Sequence, residues 1–126
     1  VADDAVTLSI PASTDRVRLA RVLAATLADE AGFDYDEVED VRIAVDELCF
    51  ALLDAGPTTG TLDLTASRDD GSLRIDGTCS FSAQPTPSTD EASSELTAQI
   101  LSTVVDEYDV SFDGTVGRFR LVKTRS

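Results

Sequence analysis

The chain has 126 residues, 42% of them apolar, and sets 24 acidic side chains against ten basic ones with no histidine, for a net charge of -14. That length suits one domain, residues 1–126, burying about two thirds of its unfolded surface; the charge argues against direct nucleic-acid binding, and two cysteines without histidine exclude zinc sites and His-dependent triads. An acidic surface suits a basic protein partner, and it equally suits a high-salt or GC-rich genome, since nine of the ten cations are Arg and 17 of the 24 acids are Asp.

The N-terminal "VADDAVTL" lacks the basic and apolar regions of a signal peptide, and no apolar run approaches the ~20 residues of a membrane span. A cytoplasmic protein without membrane contact is expected. Val6, Leu8 and Ile10 alternate up to Pro11, which predicts a short half-buried strand. Ser13 or Thr14 then offers an N-cap for a first helix, with Val17, Ala20, Ala24, Leu27 and Ala31 at helical spacing and Gly32 as terminator. A second helix is predicted from Tyr35 or Asp36 to about Ala55, with Val38, Val41, Val45, Leu48, Cys49 and Leu52 as its core stripe; Gly56 and Pro57 end it.

"GTLDLTASRDDGSLRIDGTC" reads as a hairpin, Leu62 and Leu64 alternating before "RDDGS", Leu73 and Ile75 after it. Residues 80–91, with two prolines and many small polar residues, form a loop of unusual length, of the kind used as lids. A third helix carries Leu96, Ile100, Leu101, Val104 and Val105, and two strands, "YDVSFD" and "GRFRLVK", close the chain. The order β-α-α-β-β-α-β-β predicts a two-layer α/β sandwich, a five-stranded mixed, mostly antiparallel sheet with three helices on one face. Cys49 and Cys79 are too few for a disulfide framework and read as reduced, buried thiols.

Within "VRIAVDELCFALLDAG", Glu47 is a carboxylate placed to act as a general base, yet Ala51 follows one turn later, where a metal-binding chemistry would want a polar ligand. Glu47 also lies opposite the core stripe, as a solvated surface acid would. Ile43 and Phe50 flank it and need cover, from the 80–91 loop or from a partner. Arg16, Arg18 and Arg21 crowd the first turns of the first helix, where the macrodipole disfavours cations. They serve either as partner contacts or as ion-pair mates of Asp15 and acids on the second helix.

"LARVLAATLADEAG", "DVRIAVDELCFALLDAG", "ILSTVVDEYDVSFDG" and "GRFRLVK", in this order and spacing, resemble the anti-sigma factor serine-kinase family, a branch of the GHKL ATPase superfamily with its histidine kinase-like fold. The resemblance spans nearly the whole chain. It implies that Glu47 matches a base that polarises the attacking hydroxyl, while Ala51 replaces an Asn that holds magnesium on ATP. Ala55 replaces a His usual near the helix end. At the adenine-reading "D-x-G-x-G", "TCSFS" puts Thr78 for the Asp and Ser80 and Ser82 for the glycines. At the later "G-x-G", Glu95 and Thr97 stand where bare backbone would approach phosphate. Lys123, in the last strand, is no substitute phosphate ligand.

The resemblance therefore implies an anti-sigma factor with a degraded nucleotide site, binding no ATP or metal. It would sequester a stress- or sporulation-type sigma factor through Arg16, Arg18 and Arg21 and be released by an anti-anti-sigma antagonist, with a homodimer expected. Two other readings stand beside it: an active ATP- and magnesium-dependent serine-protein kinase acting on the antagonist, and an adaptor or dimerisation module with no sigma partner.

Overall fold

The computed structural model describes residues 5–69, 71–86 and 91–125, with only the backbone of 91–94. Its elements follow the predicted order: β1 (Val6–Pro11), α1 (Val17–Glu30), α2 (Tyr35–Leu53), β2 (Thr58–Asp69), β3 (Ser72–Phe81), α3 (Glu91–Val104), β4 (Glu107–Asp113) and β5 (Val116–Thr124). The strands form one sheet in the order β1-β2-β3-β5-β4.

All four pairings are antiparallel, where a mixed sheet was expected. The reason lies in the crossover. The α3 connection carries β4 past one strand position to the sheet edge, and β5 turns back into the gap, antiparallel to both neighbours. A parallel contact between β3 and β4 is thereby avoided, although a helix joins them.

The two α-helices of the first connection form an antiparallel hairpin. Residues Val17, Ala20, Ala24, Leu27 and Ala28 bury one stripe of α1. Its end is a Schellman motif: the Phe33 amide donates to the Ala28 carbonyl (3.1 Å) and the Gly32 amide to Asp29 (3.1 Å), with Gly32 at φ 88. Only a residue without Cβ takes that conformation at low cost. Arg68 on β2 adds a donor to the Glu30 carbonyl at 2.7 Å.

The start of α1 differs from the sequence expectation. The Ser13 hydroxyl donates to the Asp15 carboxylate instead of capping a helix, and a 3-10 turn, Thr14–Arg16, precedes α1. A short polar side chain with a nearer acceptor abandons the cap. For α2, Asp34 and Glu37 form a reciprocal capping box (2.8 and 3.0 Å). α3 ends at Val104, one residue short of Val105, the last apolar position expected on it, because Lys123 Nζ donates to the Val104 carbonyl (2.8 Å) and the Asp106 amide donates to Val122 on β5 (3.0 Å).

The helices lie on one face of the sheet, α1 reaching β2 and β3, α2 spanning β3, β5 and β4, and α3 set against α2 and β4. Val41, Val45, Leu48, Cys49 and Leu52 of α2 meet Leu62, Leu64, Leu73, Ile75, Phe119 and Leu121 of the sheet, all buried. Each such side chain contributes about 1.5–3 kcal/mol by leaving water. The alternation that buries Leu73, Ile75, Gly77, Cys79 and Phe81 leaves Arg74, Asp76, Thr78 and Ser80 on the helix-free face.

Candidate functional site

The residues singled out from the sequence lie in two places: the end of α2, where the resemblance would put a nucleotide, and the outer face of α1. On α2 the core stripe fixes the rotation of the helix and turns Glu47 to a half-buried flank, neither core nor free surface. Ala51, half-buried, brings only a methyl group one turn on, and Ala55 is buried.

Between this half of α2 and the sheet the core is packed with apolar side chains. A Cβ on Gly117 would lie 3.0 Å from Leu52 Cδ2, 3.0 Å from Phe81 Cε2 and 3.1 Å from Phe112 Cε1. Phe81 and Phe112 tilt against each other with centroids 6.0 Å apart, a favoured aromatic arrangement. Phe119 lies across its strand partner Gly77, where a Cβ would fall 2.3 Å from the ring. Both thiols border this layer. Burial pushes Cys49 up to about 12, helped by Asp46 and Cys79 nearby, and burial also raises Cys79.

The strand phase sets which of the positions singled out from the sequence face α2. Thr78 and Ser80 lie on the helix-free face, away from α2; the residues in phase with it are Gly77, Cys79 and Phe81. A one-residue offset along a strand reverses the face. Ser82 sits past β3, its amide donating to the Pro57 carbonyl at 2.9 Å. Glu95 is exposed and Thr97 half-buried, both beyond the first four residues of α3, so their amides fall within the helix ladder.

The 80–91 loop divides likewise. Its described part is stitched to the end of α2, the Thr86 amide donating to the Ala55 carbonyl (2.7 Å) and Pro85 lying buried 3.4 Å from a Cβ position on Gly56. It does not lie over Ile43, which is 42% exposed, while Phe50 packs partly against the core. Residues 87–90 of the expected lid lie outside the described residues. Lys123 is committed to Val104 and to Asp40 (3.4 Å).

On α1, Arg16 and Arg18 are exposed and make no ion pair among the described residues. Arg21 instead reaches α2, its Nε 2.9 Å from Asp46 Oδ1. Both atoms are shut off from solvent and approach without the alignment of a hydrogen bond. Burial raises the Asp46 carboxyl above its ordinary value, against the pull of Arg21 and then Arg42. Leu19 and Val22 on α1 are 41% and 64% exposed, and Ile43 on α2 is exposed as well. Sequence reasoning passed over Asp46, although an acid on the second helix was among the mates considered for these arginines.

The helix-free face carries a groove of about 290 Å³ lined by Asp63, Asp76, Thr78, Asp109, Arg118 and Arg120, among others. Among the described residues no cluster of three or more Cys, Asp and Glu side chains is placed to hold a metal ion, and no helix is long and apolar enough to cross a membrane.

No protein-family model matches the chain. Serine-protein kinase RsbW of Halalkalibacterium halodurans is 32% identical over 63 residues, 49% of this chain and 39% of that protein. Serine-protein kinase RsbW of Listeria monocytogenes serotype 4a is 43% identical over 44 residues, 35% of this chain and 28% of that protein. The matches thus span well under two thirds of those relatives' length. In the crystal structure of the RsbU and RsbW domains of Rv1364c from Mycobacterium tuberculosis, a fold match covers 95% of this chain and 32% of that one, with a TM-score of 0.73 at 14% identity. The resemblance to the anti-sigma factor serine-kinase family is thus carried by local sequence similarity, and the fold is shared with that solved structure.

Proposed function

We propose that the chain is an anti-sigma factor, acting in the cytoplasm as a single domain, that sequesters a stress- or sporulation-type sigma factor by surface contact and yields it to an anti-anti-sigma antagonist. Nucleotide plays no part in this reading. The observation that carries it is on the flank of α2: Ala51, one turn after Glu47, supplies no oxygen for magnesium, and the core beside it, with Leu52, Phe81, Phe112 and Phe119, is packed with apolar side chains. A triphosphate needs donors and a counter-cation. Each missing charge-assisted contact forfeits about 1.5–3 kcal/mol, so the several replacements together remove most of a nucleotide's affinity.

The partner surface in this reading is the start of α1, where Arg16 and Arg18 project from a chain of charge -14 beside the apolar Leu19 and Val22. Arginine flanked by apolar side chains is a common anchor of protein interfaces. A homodimer belongs to the reading, twofold pairs being the commonest assembly of soluble chains. One observation favours a second reading: the matched relatives are named serine-protein kinases, and Glu47 is retained on the flank of α2. A kinase acting on the antagonist would use it as base.

Affinity purification of the tagged chain from its native host, without added nucleotide, tests the first reading. A sigma factor is expected in the eluate in about equimolar amount, and Arg18→Glu is expected to deplete it. An eluate in which the sigma factor appears only after ATP and magnesium are supplied would favour the kinase reading instead.

A further inference from the structure

The Arg21–Asp46 contact bridges α1 and α2, two helices that also carry the exposed apolar residues Leu19, Val22 and Ile43. We infer that Asp46 is an internal competitor for Arg21: it holds the guanidinium in the free chain and must release it when a carboxylate of the partner docks on α1. The inference rests on the reading of α1 as the partner-binding face, and it names the residue that sets how tightly that face binds.

Three observations support it. The contact is close but misaligned, one Nε facing one Oδ1 without a directed hydrogen bond, whereas a partner carboxylate can engage an arginine through two parallel N–H donors. The Arg21 side chain keeps 36% of its surface exposed, so its outer edge is open to an incoming group. Asp46 is disfavoured as an anion where it stands, for burial outweighs both nearby guanidinium groups, and Arg42 is already engaged by Glu39 at 3.1 Å. The free chain therefore holds Arg21 by a contact weaker than the one it would exchange for.

An internal contact that must break lowers the apparent affinity by the fraction of chains in which it is closed. Partly exposed pairs are worth up to about 1 kcal/mol, so removing Asp46 is expected to tighten binding roughly two- to fivefold.

The test titrates each purified sigma factor of the source organism against the chain and its Arg21→Glu, Asp46→Asn and Asp46→Ser variants. Asp46→Ser is included because an Asn amide could still hold Arg21 by a hydrogen bond. Thermal unfolding of each variant checks that it is folded, and side-chain NMR follows hydrogen exchange at Arg21 Nε. The expectation is tighter binding by one or both Asp46 variants, at least tenfold loss by Arg21→Glu, and faster Nε exchange in the free Asp46→Ser chain. If no sigma factor binds, or Arg21→Glu binds like the parent chain, the partner surface itself is misassigned and the inference falls with it. If Arg21→Glu abolishes binding while both Asp46 variants bind equally or more weakly, the surface stands and the competitor role is overturned.

Discussion

Gly77 and Cys49 show how single residues decide what the end of α2 can hold. The Phe119 ring takes the space a Cβ on Gly77 would need, and the Cys49 thiol is wholly enclosed, its proton held to about 12 by burial first and by Asp46 and Cys79 second. A thiol raised in the folded state keeps its proton where the unfolded chain has lost it. Cys49 therefore adds stability that is intact below the ordinary thiol value of 9.0 and is lost as pH rises from there towards about 12. At pH 8 both native thiols should alkylate with iodoacetamide far more slowly than in denaturant, a difference read directly by mass spectrometry; Cys49 reacting at the unfolded rate would mean that the layer around it opens. The same residue scale is where sequence reasoning lost resolution. Thr78 and Ser80 fit the expected motif by position, yet Leu73 and Ile75 already fix the strand phase, and counting forward from them puts Gly77 and Cys79 on the helix side. That signal was present in the alternation. The union of Arg21 with Asp46, by contrast, depends on how two helices are rotated against each other, which one helix's periodicity cannot report.

Helices and strands were legible nearly throughout, because α1, α2 and the β2–β3 hairpin each carry a clear apolar period and a stop signal. Two terminal details were not read. The Asp34-x-x-Glu37 capping box stood in the sequence as a recognisable pattern, one residue before the predicted start of α2, whereas the 3-10 turn before α1 follows from a local hydroxyl-to-carboxylate contact that competes with capping. The strand order and the wholly antiparallel pairing were beyond local reading, since they depend on where the α3 crossover lands. Because Asp34 satisfies an orphan amide of α2 and its anion faces the positive end of the helix, Asp34→Ala should lower stability by about 1 kcal/mol. Urea denaturation with an unchanged slope would report it; an unaltered midpoint would show that the cap is redundant.

On the scale of the whole molecule, the two regions that the proposed function uses share α2. One is an apolar layer against the sheet, closed by the stitched residues 82–86; the other is the α1 surface with its arginines and exposed Leu19 and Val22. A chain of charge -14 repels a triphosphate at long range and attracts a basic protein, so its electrostatics and its packing favour the same class of partner. The fold matches that of the structure holding the RsbU and RsbW domains, but a fold does not by itself fix a reaction, and the proposed reading assigns this chain none. Isothermal titration of the chain with ATP in the presence of magnesium tests this most directly. The account predicts no saturable heat up to millimolar nucleotide, with or without the metal; a single-site, magnesium-dependent isotherm in the micromolar range, weakened by Glu47→Gln, would contradict it.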